Sequence, residues 1–134
     1  MILRLKRQQL NLLKEEARKV YPIEACAMLF GKRTAEETVV ERVVVAPNKL
    51  QSTTRFEIDH ETFAKAILEA EEEGLELIAL FHSHPAPPKP SPTDLKPMKF
   101  WGDTTWLILS STNGNLAAYQ MKNDRVGEIT IEVE

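Results

Sequence analysis

Two histidines and an aspartate stand close together in the sequence and carry the donor atoms of a transition-metal site. His82 and His84 belong to the run His-Ser-His-Pro, and Asp94 ends the run Ser-Pro-Thr-Asp. In an extended chain the side chains at positions i and i+2 point to the same face, with roughly 6 to 7 Å between their Cβ atoms, so both imidazoles can reach one ion. The prolines between His84 and Asp94 stiffen the loop that brings the carboxylate back. We therefore predict that these three residues bind a metal ion.

The donor set favours zinc and leaves room for a water molecule. Two nitrogen ligands and one oxygen ligand suit zinc better than magnesium or calcium, which prefer shells made of oxygen alone, whereas iron accepts the same donors and stays an alternative. Three protein ligands leave the fourth tetrahedral position open, as in catalytic zinc sites. We therefore predict one Zn²⁺ per chain, water as the nucleophile, and a further residue that accepts the proton of that water.

Glu24 is the candidate for that proton acceptor. It stands at the start of an otherwise apolar run, residues 23–30, whereas the other glutamates lie on helix faces, in loops or among polar neighbours. Partial burial would raise its pKa toward neutrality, which suits a general base. A glutamate that merely ends a strand is the competing interpretation. Because Glu24 precedes His82 by 58 residues, the spacing alone does not bring the two side chains together.

The surrounding sequence predicts strands and helices that place the histidines at the end of a strand. Residues 75–81 form the clearest buried strand, which delivers His82 at its C-terminal end, where loops of α/β sheets present catalytic groups. Apolar residues at helical spacing predict a helix over residues 8–19 and a second one between Asp59 and Gly74. The other predicted strands are residues 2–5 (an edge strand), 23–30, 38–46, 55–58, 105–110, 116–121 and 126–133. The predicted fold class is α/β, a single mixed β-sheet of roughly six to eight strands flanked by two main helices.

The composition predicts one domain that spans residues 1–134. Hydrophobic residues make up 43% of the chain, and a chain of roughly 150 residues buries about two thirds of its unfolded surface. The net charge of −3 without a cluster of Lys and Arg argues against a nucleic-acid partner. No segment has the roughly 20 apolar residues of a membrane helix, and residues 1–13 lack the apolar core of a signal peptide. We therefore predict no membrane partner and a cytoplasmic location.

Residues outside the metal motif favour structural roles. Cys26 is the only cysteine, which excludes an intramolecular disulfide, a multi-cysteine zinc cluster and the Cys-x-x-Cys arm of zinc nucleobase deaminases. Two flanking alanines offer its thiol no activating cation, so packing is the favoured interpretation. His60 lies beside Asp59 at a helix start, which favours a surface role. Four large side chains that follow the motif form either core or a recognition surface, with core favoured: Met98, Phe100, Trp101 and Trp106.

The metal motif and the upstream glutamate together resemble the JAMM (MPN-plus) metalloproteases. The pattern of that family is an upstream Glu, then His-[Ser/Thr]-His-Pro, then Ser-x-x-Asp. Its positions are occupied here by Glu24, His82, His84, Ser91 and Asp94. Five residues separate Pro85 from Ser91, against seven in the family pattern. The order of strands, helices and hairpin agrees with the resemblance over almost the whole chain, which implies a JAMM/MPN architecture of the cytidine-deaminase-like kind.

The resemblance implies a role for each residue of the motif. The two histidines and the aspartate would bind zinc, Glu24 would act as general acid and base, and Ser91 would help to stabilise the oxyanion of the tetrahedral intermediate. Ser91 also fits the N-cap of a helix, and one hydroxyl can serve both purposes. Ser83 and Pro85 are expected to shape the loop rather than to take part in chemistry.

Family members hydrolyse isopeptide or peptide bonds after the C-terminal glycines of ubiquitin or ubiquitin-like proteins. The resemblance therefore implies a zinc-dependent, deubiquitinase-like isopeptidase of the minimal prokaryotic or archaeal form, with a ubiquitin-like β-grasp protein or its conjugates as partner. Two alternatives stay open. One is a peptidase that processes the C-terminus of a sulfur-carrier protein, and the other is a non-catalytic MPN scaffold whose metal site has decayed. The sequence determines neither the physiological modifier nor the oligomeric state.

Overall fold

The computed structural model describes residues 1–134. It contains seven strands and three helices. In chain order these are β1 (Ile2–Leu5), α1 (Arg7–Val20), β2 (Cys26–Arg33), β3 (Glu37–Ala46), α2 (His60–Glu72), β4 (Glu76–His84), α3 (Pro92–Trp101), β5 (Thr105–Ser110), β6 (Leu116–Lys122) and β7 (Arg125–Val133). None of the helices combines the length and the apolarity needed to cross a membrane.

The strands close into a barrel in the order β1-β3-β2-β4-β5-β6-β7. The first strand completes the closure, because β1 pairs in parallel with β3 on one side and with β7 on the other. Arg4 of β1 reinforces both contacts through ion pairs with Glu37 of β3, at 3.0 Å, and Glu132 of β7, at 2.7 Å. The strand that the sequence assigned to a sheet edge therefore has neighbours on both sides.

The predicted fold class, a mixed sheet flanked by two main helices, is wrong in its architecture. The sheet is mixed but closed, and three helices accompany it. Burial patterns predict where strands lie, but they do not report whether the first and last strands meet, which here depends on pairing between Ile2–Leu5 and Thr130–Val133. The predicted strand over residues 55–58 is also absent, since these residues belong to an irregular loop before α2.

The strands that carry the metal motif are covered on both faces. Alternate residues of β2 enter two separate apolar clusters, with Ala27 and Leu29 in one and Met28 and Phe30 in the other. The first cluster also contains the buried face of α1, and the second contains buried residues of α2 and α3. This double burial explains why β2 and β4 read as continuous apolar runs rather than as alternating ones. The site at the ends of these strands is thus built on strands that are buried on both faces.

A glycine in β2 is required by the approach of β3. The pairing register shifts between Phe30 and Gly31, and a Cβ atom on Gly31 would overlap the carbonyl oxygen of Val39. We expect Gly31→Ala to lower the free energy of unfolding by about 1 to 3 kcal/mol, as overpacking does in well-packed cores. Urea unfolding of the metal-free protein measures this loss. The control is Gly127→Ala, whose added Cβ would lie 3.9 Å from the Gln120 oxygen. Equal unfolding midpoints for the two variants would contradict the prediction.

Candidate active site

The two histidines of the motif lie among the last three residues of β4. Antiparallel β2 and parallel β5 flank this strand, so that His82 pairs with Cys26 on one side and with Ile108 on the other. His82 is fully buried and His84 is 6% exposed. Their rings face each other with centroids 5.4 Å apart, as the i, i+2 spacing on a strand predicts. Strand β4 therefore presents both imidazoles on one face.

Asp94 joins the histidines from the first turn of α3. Its Oδ2 accepts a hydrogen bond from the backbone N–H of Ser91, at 2.9 Å, and lies 3.2 Å from Nε2 of His82. Burial alone would raise the pKa of Asp94, but the imidazole of His82 and the N–H of Ser91 outweigh it, so that the pKa falls below its ordinary value. The carboxylate is therefore ionised and aimed at the imidazoles. Potential ligand atoms of His82, His84 and Asp94 all lie within 4.8 Å of one another.

The cluster has the properties that a resident cation requires. Both ring nitrogens of His82 are buried: Nδ1 has no hydrogen-bond partner, and Nε2 faces the carboxylate of Asp94 at 3.2 Å without forming an aligned hydrogen bond. A buried nitrogen in this state is costly unless another group satisfies it. The pKa of His84 is lowered by burial and by the neighbouring His82, which favours the neutral imidazole that metals bind. The carbonyl oxygen of Lys89 lies 3.1 Å from Nε2 of His84 and holds that ring in place. Two imidazoles and one carboxylate fit a metal of the zinc type.

Glu24 lies two residues before β2, the strand that pairs with the strand of the histidines. The pairing of Cys26 with His82 continues through a hydrogen bond from the N–H of Ser83 to the oxygen of Ala25, at 3.0 Å. Extending this antiparallel register places Glu24 opposite His84, on the face that both histidines share. The structure thus unites four residues that lie in two distant parts of the sequence.

The Glu24 carboxyl group is poised to exchange a proton near neutral pH. Its side chain is 2% exposed, and its Oε1 has no hydrogen-bond partner. Burial is the main reason why the pKa of Glu24 rises from an ordinary 4.5 to about 7. The nearby His82 lowers this pKa, and the charge of Asp94 raises it further. Both protonation states are therefore accessible at pH 7, which is the property that a general acid and base needs.

Ser91 lies at the rim of the cluster, not among its buried residues. It is the N-cap residue of α3, and its Oγ lies 2.8 Å from the hydroxyl of Thr93. Its backbone N–H is the group that contacts Asp94. The sequence predicts two roles for this hydroxyl, as helix N-cap and as donor to an oxyanion. The structure shows the residue at the helix start, partly exposed and close to the cluster of His82, His84 and Asp94.

Three residues that support the site were not identified from the sequence. The amide of Asn48 donates to the backbone oxygens of Glu24 and Arg55, at 3.1 and 2.9 Å, so it ties the loop before α2 to the candidate base. Ser83, assigned only to loop shape, accepts a hydrogen bond from the N–H of Ala25 at 3.0 Å and so joins β4 to β2. The ring of Phe56 stacks on His82 at 4.8 Å. The Pro47-Asn48 pair that follows the predicted strand over residues 38–46 is a turn signal that could have marked Asn48.

Cys26 is a packing residue, although it neighbours the site. It is fully buried, and its Sγ lies 3.4 Å from the carbonyl oxygen of Ala46. Burial is the main cause that raises the pKa of the thiol to about 12, and the charge of Glu24 adds to it. The reactive thiolate is therefore not populated at neutral pH. We expect Cys26→Ala to cost about 1 kcal/mol of unfolding free energy and to leave turnover within about twofold of the wild type. Urea unfolding and steady-state kinetics test this, and inactivation of a folded variant would refute it.

Comparisons with known proteins agree with this geometry. The family model "Prokaryotic homologs of the JAB domain" matches residues 6–123. The chain is 41% identical to a desampylase of Pyrococcus furiosus over 113 residues, and this alignment covers 84% of this chain and 77% of that protein. It is 40% identical over 77 residues to a probable TtuB-protein conjugate cleaving protease of Thermus thermophilus, covering 56% of this chain and 49% of that protein. The chain belongs to the prokaryotic JAB-domain family.

Membership in this family makes the chain a JAB-type peptidase and confirms the resemblance to the JAMM (MPN-plus) group. Two solved structures share the fold. A protein from Desulfitobacterium hafniense superimposes with a TM-score of 0.87 at 31% identity, covering 100% of this chain and 93% of the other. A protein from Salinibacter ruber gives a TM-score of 0.71 at 26% identity, covering 96% and 91%.

Proposed function

We propose that this chain is a zinc-dependent isopeptidase that cleaves the bond between the C-terminal diglycine of a ubiquitin-like modifier and a lysine of its target. The relatives named as a desampylase and as a probable conjugate cleaving protease support the substrate class. The observation that carries the reaction type is the unpaired, buried carboxyl group of Glu24 across the sheet from the buried cluster of His82, His84 and Asp94. The proposed catalytic domain spans residues 1–134.

His82, His84 and Asp94 are the residues that would hold the zinc ion. When bound, zinc supplies Lewis-acid chemistry, since it makes water a better nucleophile and polarises the substrate carbonyl. The protein supplies a buried site in which two of the proposed ligands lie on β4 and the third accepts a hydrogen bond from the backbone N–H of Ser91. Stacking of Phe56 on His82 holds one ring in a fixed plane. Little reorganisation is then required when substrate arrives.

Glu24 moves the proton in the proposed reaction. It accepts a proton from the attacking water while the new bond between water oxygen and carbonyl carbon forms. It then donates that proton to the lysine nitrogen as the carbon–nitrogen bond breaks, which gives a diglycine carboxylic acid and a free amine. The remaining proton of the acid passes to the amine, so that the products leave as a carboxylate and an ammonium group. A pKa of about 7 serves both steps. The hydroxyl of Ser91 is proposed to donate a hydrogen bond to the carbonyl oxygen as negative charge develops there.

Turnover of a defined conjugate tests the proposal. The substrate is a β-grasp modifier whose C-terminal diglycine is joined to a lysine side chain, incubated with the zinc-loaded protein, with a chelator, and with the chelator followed by added zinc. We expect release of intact modifier only when zinc is present. A linear fusion through the same diglycine measures the preference for isopeptide over peptide bonds. Stoichiometric zinc without cleavage of either substrate would refute the proposed function.

A further inference from the structure

An apolar groove lies beside the candidate active site, between α2, α3 and the loop before α2. It has a volume of about 840 Å³. The helices contribute Phe63, Phe100 and Trp101, and the loop contributes Leu50 and Phe56. Two of these side chains are unusually open to solvent for their size, since Phe100 is 82% exposed and Leu50 is 39% exposed. Exposed apolar surface of this kind marks a binding groove more often than a free surface.

The groove is continuous with the cluster of His82, His84 and Asp94. Thr93 and Asp94 line its wall, and Asp94 is one of the three clustered ligand residues. Phe56 also lines the groove, and its ring stacks on His82 at 4.8 Å. A chain that occupies the groove would therefore reach the reacting centre without leaving the surface of the protein.

The unpaired charges of the groove are positive. Arg55 and Lys96 line it, and the side chain of neither residue forms an ion pair or a hydrogen bond in the structure. Of the two acids in its wall, Glu57 lies 3.6 Å from the ammonium of Lys49, and Asp94 accepts a hydrogen bond from the N–H of Ser91 and faces Nε2 of His82. The groove thus combines aromatic walls with two cations that lack partners. Its complement is an apolar segment that carries carboxylates.

We infer that this groove binds the part of the modifier tail just before the diglycine, and that Arg55 and Lys96 select tails in which acidic residues accompany an apolar one. This inference rests on the proposed function. The modifier is the constant partner of such an enzyme, whereas its targets differ in sequence around the modified lysine. A fixed aromatic groove with fixed charges suits the constant partner. The diglycine that follows would then pass Asp94, where the lack of side chains permits close approach.

Two labelled tail peptides test the charge selection. Both end in glycyl-glycine amide after a leucine, and they differ only in carrying glutamate or lysine on the two sides of that leucine. Fluorescence anisotropy is measured in chelator, so that cleavage cannot deplete the peptide, and at low ionic strength, where screening is weak. We expect the glutamate peptide to bind at least about tenfold more tightly to the wild type. The double variant Arg55→Glu, Lys96→Glu should prefer the lysine peptide.

The control variant is Lys65→Glu, which changes an exposed lysine of α2 that lies outside the groove. It should leave the preference for the glutamate peptide unchanged. Equal binding of both peptides, no binding of either, or the same preference in the double variant would overturn the inference. So would tighter binding of an acidic peptide that models the target sequence around the lysine. Circular dichroism and urea unfolding verify that each variant is folded.

The inference and the proposed function fail in different ways. Cleavage of a diglycine conjugate that does not depend on the charge of the tail overturns the inference alone. Absence of cleavage by the zinc-loaded protein overturns the proposed function, while charge-dependent binding of the tail peptides in chelator would still establish the groove. The fluorescence of Trp101, which lines the groove, gives a second reading of peptide binding that does not depend on the label.

Discussion

The Glu24→Gln variant is expected to keep its zinc and to lose at least about a hundredfold of its turnover. General acid–base catalysis contributes about 10² to 10⁴ to the rate of enzymatic reactions, and an amide of the same shape cannot accept the proton. Metal binding should survive, because none of the three clustered ligand residues is changed. Single-turnover cleavage of the diglycine conjugate, together with zinc analysis of the purified variant, measures both results. The matched control is Glu41→Gln, an exposed glutamate of β3, which should behave as the wild type.

The pH dependence of activity provides a second reading of the same residue. Because the pKa of Glu24 is raised to about 7 by burial, the carboxylate that accepts the proton becomes populated as the pH rises through that value. We therefore expect kcat/KM of the wild type to rise between pH 5 and pH 8, and the residual activity of Glu24→Gln to lack this step. Turnover of Glu24→Gln at the wild-type level would remove Glu24 as the base.

Stability should respond to pH in the opposite direction. The folded protein binds the Glu24 proton more tightly than the unfolded chain does, so the stability that this proton contributes is complete below pH 4.5 and is lost as the pH rises to about 7. The difference between the two values corresponds to about 3 kcal/mol. In the metal-free protein, urea unfolding should show Glu24→Gln gaining stability over the wild type at pH 8 but not at pH 4. The candidate base is thus maintained at a cost in stability.

The relation between Glu24 and the histidines shows what a sequence can and cannot predict. The i, i+2 spacing correctly predicted that the imidazoles of His82 and His84 share a face, because a strand has a fixed period of two. The position of Glu24 depends instead on the register in which Cys26 pairs with His82. A shift of one residue would turn its carboxyl group to the opposite face. Only the resemblance to a known motif anticipated that placement.

Non-local contacts account for what the sequence failed to predict. Strand positions were mostly correct, because burial on one or both faces leaves a local pattern. Closure of the barrel depends on the pairing of β1 with β7 at the other end of the chain, and no local pattern encodes it. A strand was predicted at residues 55–58 in the loop before α2, but Phe56 and Ile58 pack in the second apolar cluster without strand pairing. Its backbone is organised by Asn48 instead of by a neighbouring strand.

The His84→Ala variant is expected to lose both zinc and activity. Removal of one of the three proposed ligands leaves only His82 and Asp94. Loss of a group that merely supports a ligand already costs about 10- to 100-fold in metal affinity, so we expect zinc affinity to fall by at least about a hundredfold. Cleavage should fall to background at a zinc concentration that saturates the wild type. Competition with a chromophoric chelator measures the affinity, and the conjugate assay measures the activity.

Two further variants separate ligand loss from general damage. Asp94→Asn keeps the shape and burial of the side chain but removes its charge, so it should also weaken zinc binding. His60→Ala removes the third histidine of the chain, which is exposed at the start of α2 and lies outside the cluster, and it should bind zinc normally. Wild-type zinc affinity in His84→Ala would refute the assignment of the site. If His84→Ala and Asp94→Asn both lose zinc affinity and His60→Ala keeps it, one ion must be bound jointly by β4 and the first turn of α3.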